Sequence, residues 1–374
     1  MHQASPGGDA ANSPIDQEAL ARWLTPILAP EGEVRLIAIK VPSTGYSALT
    51  VLMDAELRDS GGTRVRPLVL RLEKPGQHVF LDTDIARQGE MMMALGRFGL
   101  PVPRVVGIES DARLLGGKFL VMDRVEGLSL PQSPNYHIAG LLTELDDKGR
   151  RHLWDDALAT IARINQLNWR EGFQFLDKPR YGPPGLGQYL GWLQAWKEEA
   201  MEGQPDPVID RALARLVSEQ PLNPHVNVLW GDSNPGNYLF NPGGDVVAAL
   251  DFEAAALGPA EIDIAWWFFM DEMLSHGHQR LPGLPSREEQ LALYEAILGR
   301  RVSDLDYFEL LAATRIALVI ARTGNVLIKA GRLPPSNRVA HHNPAVLLLA
   351  MKLGIVPDDM GDHFAEFSRV MNDR

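Results

Sequence analysis

Trp230-Gly231-Asp232-Ser233-Asn234-Pro235-Gly236-Asn237, followed by Ala249-Leu250-Asp251-Phe252-Glu253, decides how this chain reads. The pattern predicts strand, tight turn and strand, with three oxygen-bearing side chains at one end of a hairpin. Four residues separate Asp232 from Asn237, and Asp251 follows the apolar strand Val246-Val247-Ala248-Ala249-Leu250. Asp and Asn are common in turns because they hydrogen-bond their own backbone and tolerate left-handed φ. Asp-x4-Asn alone would therefore be turn chemistry. The second carboxylate beyond an apolar strand, with Gly258-Pro259-Ala260-Glu261-Ile262-Asp263-Ile264-Ala265-Trp266-Trp267 after it, changes that reading. Together they are the groups phosphoryl transfer needs: a carboxylate to orient the attacking hydroxyl, and an amide and a carboxylate to hold Mg²⁺. Mg²⁺ is hard and prefers such oxygens.

Composition bounds the rest. At 374 residues the chain suits two lobes rather than one small core. Its content, 45% hydrophobic and 22% charged, is that of an ordinary globular chain. A net charge of −12 argues against a general nucleic-acid binder, which needs clustered Lys and Arg. The same charge permits a cationic substrate and equally serves solubility. The absence of cysteine excludes disulfides, a thiolate nucleophile and cysteine-ligated metals. No apolar run reaches about 18 residues, so no membrane span is expected. Residues 1–14 are polar and Gly/Ala/Ser-rich and read as a disordered tail, not a signal peptide. The expectation is a cytoplasmic protein with a small-molecule substrate and neither nucleic acid nor membrane as partner.

Upstream of the hairpin, Ile15 to Leu28 has helical spacing, with Asp16 and Glu18 in its first turn. Glu33 to Ile39, Thr50 to Leu57 and Arg66 to Leu72 read as strands, the last two flanking the Asp59-Ser60-Gly61-Gly62 turn. Thr83 to Phe98 is helical by composition and is stopped by Leu100-Pro101-Val102-Pro103. Val105 to Glu109 and Lys118 to Arg124 complete a β-meander. The N-lobe is thus expected over 15–124, and the C-lobe over 125–374 from a hinge at Val125-Glu126-Gly127. Helices are expected at Asp155 to Leu167, Leu186 to Met201, Pro207 to Glu219, Glu261 to Met273, Arg287 to Leu298, Asp304 to Thr323 and Pro344 to Leu353. The fold class is α+β with two lobes.

The motif Gly231-Asp232-x-x-Pro235-Gly236-Asn237-x-Leu239, then Asp251-Phe252-Glu253, then Gly258-Pro259-x-x-x-Asp263-Ile264-Ala265-Trp266 resembles the aminoglycoside phosphotransferase family. It is most similar to the bacterial branch with Trp before Gly-Asp, whose relatives also occur as kinase-like domains fused to acyl-CoA dehydrogenases. The resemblance runs from about Pro42 to about Gly354. It implies a protein-kinase-like fold, with a β-rich N-lobe and a mainly helical C-lobe. It also implies a kinase that uses ATP, or another NTP, and Mg²⁺ to phosphorylate a small-molecule hydroxyl.

In that frame Asp232 is the catalytic base or hydroxyl-orienting group, and Asn237 and Asp251 are the Mg²⁺ ligands. Trp230, Ser233, Asn234 and Glu253 support them. Arg71 stands where kinases carry a phosphate-pairing Lys, with Glu90 as its partner. Its planar fork suits phosphate oxygens. Ser43, Thr44, Gly45 and Ser47 form the loop that covers the phosphates with amides and hydroxyls. Met122, Asp123 and Val125 offer backbone groups to adenine. Asp263 fixes the catalytic loop or, with Glu261, caps the helix that follows.

Two departures from the wider family stand out. Trp230 replaces the His before Gly-Asp, and Ile164-Asn165 replaces a Leu-His pair. Loss of both imidazoles reads as a coordinated structural exchange. The rival reading is a catalytically silent nucleotide-binding protein, against which Asp232, Asn237 and Asp251 count. No activation segment follows Asp251, which disfavours a protein kinase. Asp358, Asp359 and Asp362 are the acidic residues available to a cationic acceptor, and a hydroxyacyl thioester competes with it. Trp266-Trp267-Phe268-Phe269 and Met91-Met92-Met93 read as core. His276, His278, His341 and His342 read as loop residues without carboxylates at ligand spacing.

Overall fold

Asp16 starts the first helix by accepting a hydrogen bond from Ala19 N at 2.9 Å, one of the donors a helix N-terminus leaves unpaired. The computed structural model describes residues 15–42, 48–74, 78–222, 225–356 and 361–372. Residues 1–14, the loop residues Ser43, Thr44, Gly45 and Ser47, and Asp358 and Asp359 lie outside them.

Helix α1 (Gln17–Leu28) buries Leu20, Leu24 and Leu28 on one stripe. That stripe lies in one apolar core with the sheet residues Val51, Met53, Leu68, Leu70 and Phe119. Each such leucine contributes about 2 kcal/mol through burial. The sheet comprises β1 (Glu33–Lys40), β2 (Ala48–Asp59), β3 (Gly62–Glu73), β4 (Val105–Glu109) and β5 (Phe119–Asp123). It is antiparallel, in the order β1-β2-β3-β5-β4. Alternation sets its register, with Val51, Met53, Ala55 and Leu57 of β2 all turned into the core. Trp23 packs edge-on against Phe119 and donates Nε1–H to Glu109 at 2.9 Å, which ties α1 to β4.

The described residues of Met1–Gly76 and Arg104–Arg124 form this first unit, and those of Gln77–Pro103 and Val125–Arg374 form the second. The segment with α2 (Ile85–Arg97) thus goes with the helical unit, where the notional N-lobe of 15–124 would have held it. Its lead-in carbonyls explain why. Val79 O and Leu81 O accept from the indoles of Trp196 and Trp192, and His78 O accepts from Arg322.

The second unit continues with α3 (Leu141–Glu144), α4 (Asp147–Gln166), α5 (Leu186–Ala200) and α6 (Pro207–Ser218). Two small antiparallel pairs follow: β6 (Asn227–Leu229) with β9 (Ala256–Gly258), and β7 (Tyr238–Phe240) with β8 (Val246–Ala249). The chain ends in α7 (Glu261–Ser275), α8 (Arg287–Leu298), α9 (Leu305–Lys329), α10 (Pro344–Lys352) and α11 (His363–Asn372). Helix α4 begins at Asp147, eight residues before the expected start, because Asp146 caps it on Gly149 N. Helix α9 outruns its expected end at Thr323. It is long and apolar enough to cross a membrane, yet 67% of its most apolar stretch is buried, packed among α5, α6, α7 and α10.

Candidate active site

The Trp230 to Asn237 motif lies on the loop between β6 and β7, and Asp251 lies just beyond β8. The turn is held by its own side chains. Asn234 Oδ1 accepts from Gly236 N at 3.0 Å, and Asn237 N donates to Asn234 O, making a single 3₁₀ turn over Pro235–Asn237. Gly231 has φ +86°, and a Cβ there would lie 2.1 Å from Ala254 O, so only glycine fits. Leu250 N donates to Asn237 O at 2.9 Å, which brings Asn237 and Asp251 to the same end of the β7–β8 hairpin. Asp251 itself has φ +60°, a left-handed conformation that Asp tolerates better than most residues.

Three donors fix the carboxylate of Asp232. Trp266 Nε1 and Asn234 Nδ2 give to Oδ1 at 2.9 and 3.1 Å, and Asn237 Nδ2 gives to Oδ2 at 2.8 Å. Burial raises the pKa of Asp232, and the neighbouring charge of Asp251 raises it further. The Arg315 guanidinium and the two amides work against that rise.

The donor set fits Mg²⁺. Asn237 Nδ2 donates to both the backbone carbonyl and the carboxylate of Asp232, which assigns its amide orientation and leaves Oδ1 as an acceptor. Asp251 adds a carboxylate. Among the described residues no group of three or more His, Asp or Glu side chains is placed to hold a metal. A cation on Asn237 and Asp251 would take its remaining oxygens from phosphates or water, as Mg²⁺ bound with a nucleotide does.

Beneath the loop lies a second network, centred on Asp263. Its Oδ2 accepts from Trp230 N and Asn165 Nδ2, both at 2.8 Å, and its Oδ1 from Gly231 N at 2.9 Å. Of the two roles foreseen for Asp263, the structure gives the loop anchor; Ala260 occupies the cap position of α7. Asn165 also donates to Val228 O, and its Oδ1 accepts Tyr294 O–H at 2.6 Å. The indole of Trp230 is fully buried and donates to Leu250 O and Asp251 O at 3.0 and 3.2 Å. Trp230 and Asn165, the two departures from the wider family, thus meet on one carboxylate. Ser233 is buried and donates to Asp263 O, a structural contact. Glu261 pairs bidentately with Arg300 at 2.6 and 3.0 Å.

The other sequence-predicted residues fall as follows. Arg71 lies on β3, opposite Thr50 and Leu120, in the first unit. Glu90 is exposed on α2, in the second. Met122 and Asp123 end β5, where Asp123 N is spent on Arg104 O and its carboxylate on Arg66. Val125 opens the second stretch of the helical unit. Glu253 is half-buried two residues past Asp251.

Sequence reasoning missed Trp266 and Arg315 as site residues. Trp266 is core, as expected, but its N–H serves Asp232. Arg315 is fully buried, donates to Gly231 O at 2.6 Å and lies 4.1 Å over the Trp266 ring. The signal was there: a lone arginine inside the apolar run Leu310 to Ile320 needs a buried acceptor. His341, read as a loop residue without carboxylates at ligand spacing, pairs with Asp206 at 2.8 Å, an acid 135 residues away in sequence.

Comparison with known proteins identifies the family and the fold. A model described as the phosphotransferase enzyme family matches residues 39–298. Human acyl-CoA dehydrogenase family member 11 is 27% identical over 242 residues, which is 60% of this chain. The chain spans only 29% of that relative's length. A putative aminoglycoside phosphotransferase from Ralstonia eutropha superposes with a TM-score of 0.63 at 21% identity, covering 90% of this chain and 94% of the other. An amicoumacin kinase in complex with AMP-PNP, Ca²⁺ and Ami gives 0.50 at 14% identity, covering 86% and 90%. At such identities these structures establish a shared kinase-like fold.

Proposed function

We infer the reaction from the premise that the chain belongs to the phosphotransferase enzyme family, whose model spans more than half of it. The family and its small-molecule kinase neighbours make it a phosphotransferase acting on small molecules. Our reading is finer: it transfers the terminal phosphoryl group of ATP to a hydroxyl of its acceptor, in the cytoplasm. The observation that carries this is the carboxylate of Asp232, held by Trp266, Asn234 and Asn237 at the end of the hairpin that also presents Asp251.

Asp232 accepts the hydrogen bond of the acceptor hydroxyl and aims its oxygen at the phosphorus. A loose transition state asks more for positioning than for basicity, and the three donors supply it. Asn237 Oδ1 and Asp251 hold Mg²⁺, which neutralises charge on the phosphates when bound. Arg71, Glu90, Met122, Asp123 and Val125 keep the nucleotide roles that family resemblance implies. Four residues separate Asp251 from β9, leaving no room for an activation segment and favouring a small acceptor over a protein. The likeness to part of an acyl-CoA dehydrogenase family member supports a hydroxyacyl thioester as acceptor, beside the aminoglycosides of the fold neighbours.

The test is Mg²⁺-dependent ADP release across aminoglycosides, macrolides, hydroxyacyl-CoAs, choline-like amines and simple sugars. Turnover with one class, reduced at least about 1,000-fold in Asp232→Asn, is expected. ATP binding without turnover on any acceptor would favour the silent nucleotide-binding alternative.

A further inference from the structure

Arg315 is a puzzle that the reaction as described does not use. Its side chain is fully buried near the middle of α9, in an otherwise apolar stretch. Nη2 donates to Gly231 O at 2.6 Å, while Nε and Nη1 are buried without a hydrogen-bond partner among the described residues. Burying a guanidinium is costly unless it is paired, and a buried charge left partly unsatisfied points to function. Among the described residues no carboxylate forms a salt bridge with it. Instead two carboxylates, half-buried Asp232 and buried Asp263, feel its charge.

Its neighbours define the job. Gly231 immediately precedes Asp232, and its carbonyl is the group that Arg315 holds. Gly231 N is held in turn by Asp263 Oδ1 at 2.9 Å, so the peptide groups on both sides of this glycine are clamped. The guanidinium also lies 4.1 Å over the ring of Trp266, the residue whose Nε1–H reaches Asp232 Oδ1 at 2.9 Å. One side chain therefore touches both the backbone that carries Asp232 and the indole that aims its carboxylate. Lysine could not do both, because it lacks the flat face that stacks and the fork that reaches sideways.

We propose that Arg315 is a positioning residue for phosphoryl transfer: from α9 it holds the Gly231 carbonyl and the Trp266 indole together, so that Asp232 meets the acceptor hydroxyl in line. This rests on the phosphotransferase reading above. It makes the helix bundle, through α9, part of the catalytic loop's support.

The experiment compares Arg315→Lys and Arg315→Met with the wild-type chain. It reads ADP release with the acceptor that the panel identifies, Mg·ATP affinity by titration, and indole N–H resonances of ¹⁵N-tryptophan-labelled protein without nucleotide. Trp266→Phe identifies the Trp266 signal among the 8 tryptophans. The expected result is a kcat lower by about 100-fold in Arg315→Met and about 10-fold in Arg315→Lys, the size of loss a displaced catalytic group produces. Mg·ATP affinity should stay unchanged, and the Trp266 signal alone should shift. An unmoved Trp266 signal in Arg315→Lys overturns the proposal, as does wild-type kcat in that variant or a fall in ATP affinity that matches the fall in kcat. Arg315→Lys keeps the charge and decides the matter if Arg315→Met does not fold. If no acceptor gives turnover with the wild-type chain, the phosphotransferase reading fails, while the resonance still decides whether Arg315 positions Trp266.

Discussion

Asp263, fully buried on α7, and Asp232, half-buried on the loop, are both pushed above the ordinary carboxylate pKa by removal from water, and both receive three side-chain or backbone donors. The donors differ in kind. Two of the three on Asp263 are backbone N–H groups, of Trp230 and Gly231, which cannot turn round. Two of the three on Asp232 are the side-chain amides of Asn234 and Asn237, which can turn only by giving up a second bond. The lower region is locked by the chain itself; the upper one is held by side chains, each kept in its orientation by one further bond within the turn, Asn234 Oδ1 by Gly236 N and Asn237 Nδ2 by Asp232 O. The carboxylate that anchors the loop is held mainly by backbone, and the one we propose to meet the acceptor is held by side chains.

The comparison breaks most sharply at Asp263. In Asp263→Asn an amide N–H₂ must face a backbone donor whichever way it is turned. The variant should lose about 3 kcal/mol of stability, as when one partner of a buried polar pair is removed. Denaturant unfolding measures this, and a loss under 1 kcal/mol would mean that the loop can re-form around an amide.

This lower network is also where the sequence was least legible. The hairpin, the Asp232, Asn237 and Asp251 constellation, and the meander were readable because each is local: turn residues, alternation and spacing lie within a few tens of residues. Asp263 was readable as an anchor only as one of two roles, since nothing local says which donors will meet it. Arg315, Tyr294 and Trp266 reach the loop across 84, 129 and 34 residues, respectively from Gly231, Asn165 and Asp232. Such contacts are set by how helices pack, which periodicity does not encode. Trp266 was hidden further by its own apolar helix, where an indole reads as packing and its N–H is easily overlooked. The placement of α2 with the helical unit was hidden for the same reason, since backbone carbonyls of 78–81 make the contacts.

Tyr294 sharpens the comparison at intermediate size. Its O–H donates to Asn165 Oδ1 at 2.6 Å and to Ala260 O at 3.1 Å, two bonds from Asp263. Tyr294→Phe leaves the ring in its buried place but leaves both oxygens without this donor. The expected cost is about 1 kcal/mol. Turnover should fall less than in Arg315→Lys, because Asn165 keeps its bonds to Asp263 and Val228 O. Thermal unfolding and ADP release on the same sample check both parts, and a kcat loss larger than that of Arg315→Lys would show that the lower network reaches Asp232 by a route other than Gly231 and Trp266.

The smallest effect should be on stability in Asp232→Asn, and its sign should be opposite to that at Asp263. Asn237 can turn its amide to offer Oδ1 to the new N–H₂ at the cost of its bond to Asp232 O, a loss outweighed by removal of the desolvated charge and of its repulsion from Asp251. The metal-free variant should therefore be more stable than wild type by up to about 1 kcal/mol at neutral pH, although turnover is lost. The pH dependence follows from the same shift. A carboxyl whose folded pKa is raised above its unfolded value of 3.8 holds its proton longer in the folded state. Between those two values the folded protein binds more protons than the unfolded one, so this group's contribution to stability falls as pH rises. It is fully favourable below the unfolded pKa and lost above the folded one. Removing the group should flatten that part of the curve, so the gain in Asp232→Asn should vanish towards pH 3 and reach its full size by pH 7. Saturating Mg·ATP should cancel the gain as well, because a cation on Asn237 and Asp251 relieves in the wild type the same repulsion that the amide removes. Denaturant midpoints of both proteins across pH, with and without Mg·ATP, test this; a variant less stable than wild type at pH 7 without nucleotide would show that the upper carboxylate, like the lower one, is held by donors that cannot turn.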